Sequence, residues 1–341
     1  MFANVCSSFP LIRPHIRRSR SGLAVAAGAA LLVVGSAAPT AAQAVPRART
    51  PEERFANIKG YPFAPHYAEI NTLRMHYVDE GRAEKGTMLL LHGEPSWSFL
   101  YRNMIPVFVR AGYRVIAPDM IGFGKSDKVT EPSWYTLDAH VGMLRGLVER
   151  LDLRNVTILV QDWGGPIGLV TATDMPERFA RLMIMNTWLD HPGYKTTQAL
   201  RDWNARAPNV DFSALGGRPW LQGSSDDPET IAAGYSAPFP PGRPDLQVGA
   251  HRWPWMLPFM NPAEGGAART AAAYEKLASW RKPAHVSFGD RDAIFTVAWG
   301  REFAAHIPGA TFDVIEGAGH MVQETGAPLA ELMLKRIAEE R

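Results

Sequence analysis

Apolar positions along this chain fall into two alternating rhythms. Leu73–Glu80 reads as a strand, and the apolar runs Thr87–Leu91 and 156–160 read as buried strands. Segments 114–117, 181–185, Ala284–Gly289 and Thr311–Ile315 have the same character. Between them the spacing turns helical, over 99–111, 166–174, 297–305 and 328–340. Residues 137–151 place Val141, Leu144, Leu147, Val148 and Leu151 on one helical stripe. Strands alternating with helices predict βαβ units and a mostly parallel sheet.

The rhythm stops after Asn186. From there to Lys282 the chain is rich in Pro, Gly and Trp, with short helical pieces and no strand-like run. A stretch of that length between two strands predicts a helical cap over the sheet's C-terminal edge, where α/β ligand sites lie. Its aromatic content argues against a disordered loop. The expected division is therefore a core over 45–187 and 283–341, interrupted by a cap over 188–282.

Residues 1–44 follow another logic. Arg13, Arg17, Arg18 and Arg20 precede an Ala-rich apolar run, which ends at the small-residue pattern Ala42-Gln43-Ala44. That order predicts a secretory signal cleaved after Ala44 and a periplasmic or secreted protein. The run falls short of the ~20 strongly apolar residues of a spanning helix. Arg17-Arg18 suggests twin-arginine export, although residues 19–22 match such a signal poorly. Without this segment, 32 basic residues face 34 acidic ones, so the formal charge passes from +2 to −2. Nothing then points to nucleic acid or a membrane surface as partner. The single cysteine, Cys6, lies inside the signal, so stability must come from the core. The 297 residues after Ala44 suffice, since such a chain buries roughly 75% of its unfolded surface. A single compact unit, monomeric by default, is expected.

Candidate chemistry begins at Val160-Gln161-Asp162-Trp163-Gly164, where a strand meets a helix. A tight turn there lifts the central side chain above the sheet and needs a small residue two positions on, which Gly164 supplies. Val160 departs from the glycine common at its position, and an ordinary strand-end Asp capping the next helix would look similar in isolation. If the apex is a nucleophile, its identity selects the reaction. A serine attacks acyl carbonyls with the help of a base. A carboxylate is ionised at neutral pH, needs no base and displaces leaving groups from saturated carbon. The resulting ester must then be cleaved by activated water. His320, in Gly317-Ala318-Gly319-His320, is the candidate base. Asp292 is the preferred acid to orient it, with Asp290 and Asp190 as rivals. Backbone N–H groups of Glu94 and Trp163 are placed to meet the oxyanion.

At this point His92-Gly93-Glu94-Pro95-Ser96-Trp97, Gln161-Asp162-Trp163-Gly164-Gly165 and Tyr235-Ser236-Ala237-Pro238-Phe239-Pro240 resemble the haloalkane dehalogenases. They resemble in particular the subfamily in which two tryptophans hold the leaving halide. The resemblance runs from Phe55 to the C-terminus. It implies an α/β-hydrolase fold with an eight-stranded, mostly parallel sheet and a cap after the sixth strand. It further implies Asp162 as nucleophile, His320 as base, Asp292 after the seventh strand as acid, and Trp163 as first halide donor. A sister subfamily has Asn where this chain has Glu94, and an ionised Glu cannot donate. The second donor should then come from the cap, where the resemblance points to Trp203. Indole suits a halide because it donates without bringing charge or a competing acceptor. Trp220, Trp253 and Trp255 remain rivals, and a core-aromatic role for Trp203 is the lesser alternative. Ile294, Phe295, Pro254 and Leu257 are the expected apolar lining.

The implied partners are a small halogenated alkane, water and halide. No cofactor is expected, and no His/Cys/Asp cluster has metal-ligand spacing. Asp119 and the Gly122–Gly124 turn read as structural. An epoxide hydrolase would need acidic cap hydroxyls, for which Tyr194, Tyr235 and Tyr274 are available. A haloacid dehalogenase would want an Arg where Trp163 stands, and a catalytically silent binding protein would not need the Asp–Asp–His order.

Overall fold

The computed structural model describes residues 45–214, 222–257 and 259–340, so the expected signal over 1–44 and Trp220 lie outside the described residues. Among these residues, eight strands form one sheet: β1 (His66–Ile70), β2 (Leu73–Glu80), β3 (Thr87–Leu91), β4 (Arg114–Pro118), β5 (Val156–Gln161), β6 (Phe179–Met185), β7 (Ala284–Gly289) and β8 (Thr311–Ile315). Their spatial order is β8-β7-β6-β5-β3-β4-β2-β1. The pairs from β4 to β8 are parallel, while β2 runs antiparallel to both β1 and β4. β1 was not singled out by the apolar pattern. It is an edge strand with one exposed and two half-buried positions, and it pairs through a tight Asn71-Thr72 turn in which both residues have positive φ. β3, β5 and β7 are buried at every position, as expected for central parallel strands covered on both faces.

Helices cover the sheet. α1 (Ile105–Arg110), α2 (Leu137–Arg150) and α3 (Gly164–Asp174) precede β6, and α8 (Val297–His306) and α9 (Ala327–Ala338) follow β7 and β8. α2 opens on the Thr136 hydroxyl, which accepts from the Ala139 N–H. The single helix expected over 99–111 is instead a 3₁₀ turn (Ser98–Tyr101) followed by α1. Pro106, near the start of α1, fits a first-turn position but would break a continuous helix. Between β6 and β7 the chain forms α4 (Gln198–Arg206), α5 (Pro228–Ser236), α6 (Val248–Trp255) and α7 (Ala267–Leu277), with no strand among the described residues. No helix among the described residues is long and apolar enough to cross a membrane.

Candidate active site

Asp162 stands at the junction of β5 and α3 with φ of 49°, a left-handed conformation rare for a residue with a side chain. The turn that forces it is crowded. A Cβ on Gly164 would lie 2.5 Å from the Leu91 carbonyl oxygen, so β3 and the start of α3 can approach only with glycine there. A Cβ on Gly93 would fall 2.3 Å from Asp162 Oδ1, so the loop after β3 is equally bound to glycine. From that loop the Glu94 N–H donates to Asp162 Oδ1 at 2.7 Å. Asp162 Oδ2 lies 3.6 Å from His320 Nε2.

His320, in the loop after β8, is held on its far side by Asp292, whose Oδ2 is 3.0 Å from Nδ1. Asp292 is itself fixed: Asn186 Nδ2 donates to Oδ2 at 2.6 Å, and the Ile294 and Phe295 N–H groups donate to Oδ1 at 2.7 and 3.1 Å. The two rival acids lie elsewhere. Asp290 accepts from the Gly317 N–H, and Asp190 is half-buried in a separate cavity beside Tyr194. Burial opposes a charge on His320, but Asp292 and Asp162 outweigh it and lift the imidazole to about 10. Sequence reading missed Asn186, whose backbone carbonyl also accepts from the Asp162 N–H at 3.0 Å, and Gln161, whose Nε2 lies 3.2 Å from His320 Nε2. An Asn or Gln at a strand end carries no pattern that distinguishes it from a loop residue.

Glu94, Asp162 and His320 line a partly open cavity with about 20 Å³ of room for water-sized bodies. Its walls include Trp163, Trp203, Pro254, Leu257 and Ile294. Leu200, Pro95 and Met321 also line it. Phe295 differs from expectation: it is 1% exposed and stacks on Trp188 at 5.1 Å, supporting the site from behind rather than lining it. Of the tryptophan rivals, Trp253 spends its indole N–H on His140 Nε2 at 2.8 Å, and Trp255 is 40% exposed beneath Arg252. Trp203, on α4, hydrogen-bonds the Glu94 side chain. Burial and the neighbouring Asp162 push Glu94 well above the carboxylate range, with Trp203 and His320 opposing. Its Oε1 is buried with no hydrogen-bond partner. Burial thus disfavours the ionised form of Glu94, the premise of a second donor from the cap.

No tyrosine or arginine lines the cavity among the described residues. The Tyr235 hydroxyl is committed to Glu324, Tyr274 stacks between His191 and His306, and Tyr194 packs edge-on against Trp299. Asp119 is fully buried away from this cavity, accepting from the Ser98 and Lys125 N–H groups and paired with His76 Nδ1. Among the described residues no His/Cys/Asp/Glu group could hold a metal.

A carboxylate at a strand–helix elbow, backed by an acid-held histidine on the C-terminal edge of this strand order, defines an α/β-hydrolase; residues 86–210 match the family model described as "alpha/beta hydrolase fold". Over 294 residues the chain is 40% identical to a haloalkane dehalogenase of Mycobacterium marinum, covering 84% of this chain and 98% of that protein. A haloalkane dehalogenase of Psychrobacter cryohalolentis is 37% identical over 85% of this chain and 97% of its own length. The tetrameric haloalkane dehalogenase of Paraglaciecola agarilytica superposes with a TM-score of 0.79 at 37% identity, covering 87% of this chain and 99% of that one. The chain belongs to the haloalkane dehalogenases, hydrolases that act on carbon–halogen bonds.

Proposed function

We propose that Asp162 is the nucleophile of a two-step hydrolytic dehalogenation. The observation that carries this reading is the unequal state of its two oxygens: Oδ1 is held by the Glu94 N–H at 2.7 Å, while Oδ2 lies 3.6 Å from His320 Nε2, on a side chain that lines the cavity. Oδ2 attacks the halogen-bearing carbon, a C–O bond forms as the C–X bond breaks, and halide leaves with the bonding pair. Oδ1 becomes the carbonyl oxygen of the ester. His320 Nε2 then takes a proton from water, whose oxygen adds to the ester carbonyl carbon. Charge gathers on Oδ1, where the Glu94 N–H, joined by the Trp163 amide, stabilises it. Collapse releases the alcohol, and His320 sheds its proton; the net change is haloalkane plus water to alcohol, halide and a proton.

Asp292 serves as the acid that orients His320. In this reading Trp163 and Trp203 serve as halide donors, the Trp203 side chain exchanging its Glu94 partner for the halide, and the chain falls in the subfamily with two tryptophans and the acid after β7. Indole N–H donors let a halide sit near Asp162 without bringing a further charge. α4–α7 act as the cap, segment 1–44 as an export signal removed at Ala44, and the product is a periplasmic or secreted enzyme.

The test offers the purified protein 1-bromobutane, a simple epoxide and fluoroacetate. Bromide and acid released from the bromoalkane alone are expected; diol formation without bromide release would overturn the reading. Asp162→Asn should abolish bromide release, and His320→Gln should accumulate a butyl ester on Asp162 visible by mass. No adduct in that variant would remove Asp162 from its role.

A further inference from the structure

Three parts of the fold meet at one buried ionic cluster. Arg102, in the turn before α1, sends Nη1 and Nη2 to Glu324 Oε1 and Oε2, both at 2.8 Å, and neither side chain is exposed. Its Nε donates to Asp226 Oδ2 at 2.9 Å, and Nη1 also donates to the Phe99 carbonyl at 3.0 Å. Tyr235 on α5 donates its hydroxyl to Glu324 Oε1 at 2.5 Å. Beside this cluster Gln323 Nε2 donates to the Tyr101 hydroxyl at 3.2 Å, which in turn donates to the Leu91 carbonyl at the end of β3.

The chain positions give the cluster a meaning. Glu324 lies four residues after His320, and the 3₁₀ turn Val322–Thr325 joins them. Arg102 follows the loop that carries the Glu94 amide, and Leu91 immediately precedes that loop. Tyr235 and Asp226 belong to the insert between β6 and β7. One cluster therefore ties the loop bearing the base to the loop bearing the oxyanion amide, with the insert closing over both. A buried ion pair adds little net stability, because desolvation offsets its attraction. What a two-pronged guanidinium–carboxylate pair does add is a fixed register.

We propose that Arg102, Glu324 and Tyr235 are positioning residues for the second half-reaction: they hold His320 and the Glu94 amide in register with the ester, and so set the rate of its hydrolysis. This rests on the covalent mechanism proposed above. Displacement of halide needs the Asp162 carboxylate, and the hydrogen bonds of Asp162 run to Glu94, Asn186, Gly165 and Thr187 rather than to the cluster. Hydrolysis needs His320 at the right distance from the ester carbon, and a small displacement of a general base is costly.

Single-turnover quenched flow with 1-bromobutane, read by protein mass, resolves the rise and decay of the butyl adduct. Tyr235→Phe keeps the volume and the ion pair but loosens Glu324. Its adduct should decay about fivefold more slowly while the rate of adduct formation stays within about twofold of the wild-type rate. Glu324→Gln should slow decay further in the protein that folds, counted by the amount of adduct formed. A general loss of stability would lower the amount of adduct without changing this ratio of rates. Unchanged decay in Tyr235→Phe, or equal slowing of both steps, overturns the proposal whether or not Glu324→Gln folds. If His320→Gln traps no adduct, the covalent mechanism itself fails and the proposal falls with it.

Discussion

Around Asp162 three carboxyl groups stand near one histidine. Asp292 is paired with His320, and burial beside Asp162 raises Glu94 well above the carboxylate range. The raised imidazole follows from the same arrangement, because Asp162 contributes to it through both contact and charge. Alkylation turns Asp162 into a neutral ester and removes that contribution, so His320 becomes easier to deprotonate at the stage where a base is needed. The halide site can be tested one residue at a time. Trp203→Phe removes an indole N–H but little volume, and should weaken bromide quenching of tryptophan fluorescence about tenfold or more. An unchanged quench in a titration with sodium bromide would place the second donor elsewhere. Asp162, His320 and Asp292 were legible because chain order and residue type together admit few readings. Asn186 and the raised pKa of Glu94 were not, since both arise from groups brought together by the sheet rather than by neighbouring sequence.

The elbow at the β5–α3 junction shows why an element can tolerate an unexpected residue. Val160 occupies a position where glycine was expected, and it is fully buried. Its bulk is received by Gly168 on α3, where an added Cβ would come within 2.6 Å of Val160 Cγ1 and 2.8 Å of Leu91 Cδ1. The space usually gained by glycine in the strand is gained here by glycine in the helix. Gly168→Ala should therefore destabilise the protein by about 1–3 kcal/mol despite alanine's better helix propensity. Val160→Ala in the same chain should recover part of that loss, giving a favourable coupling between two residues eight apart. Strictly additive effects in urea unfolding would show that the two side chains do not share the space. The strand–helix rhythm itself was plain from periodicity, because the central strands are apolar throughout. The edge strand β1 and the broken helix before β4 were not, since one is half-polar and the other is divided at Pro106.

Across the whole molecule, two buried bases make folding depend on pH in a direction that can be worked out. Burial, with His92 adding to it, lowers His140 to about 3; its Nε2 accepts from the Trp253 indole and its Nδ1 has no partner. Between the ordinary value near 6.5 and about 3, the unfolded chain binds a proton that the folded chain refuses, so stability falls as pH drops through that window. Lys128 repeats the argument one window higher. Burial lowers it to about 7, against the attraction of Asp119 and Asp127. Its Nζ donates to the Gly124 carbonyl at 2.6 Å, while Asp127 is held by Arg49 and Arg47 and by the Arg74 N–H. The unfolded chain keeps its proton up to about 10.5, so stability should rise as pH increases from about 7 to about 10.5 and fall again on acidification. Lys128→Met removes the titrating group and preserves its length, and should raise Tm at pH 7 while flattening the gain between pH 7 and pH 10. The variant loses one hydrogen bond to a backbone carbonyl but no longer buries an ammonium without a carboxylate of its own, and the second effect should win. Calorimetry at the two pH values decides it: if the variant's Tm still climbs with pH as steeply as the wild type's, the alkaline gain has another source.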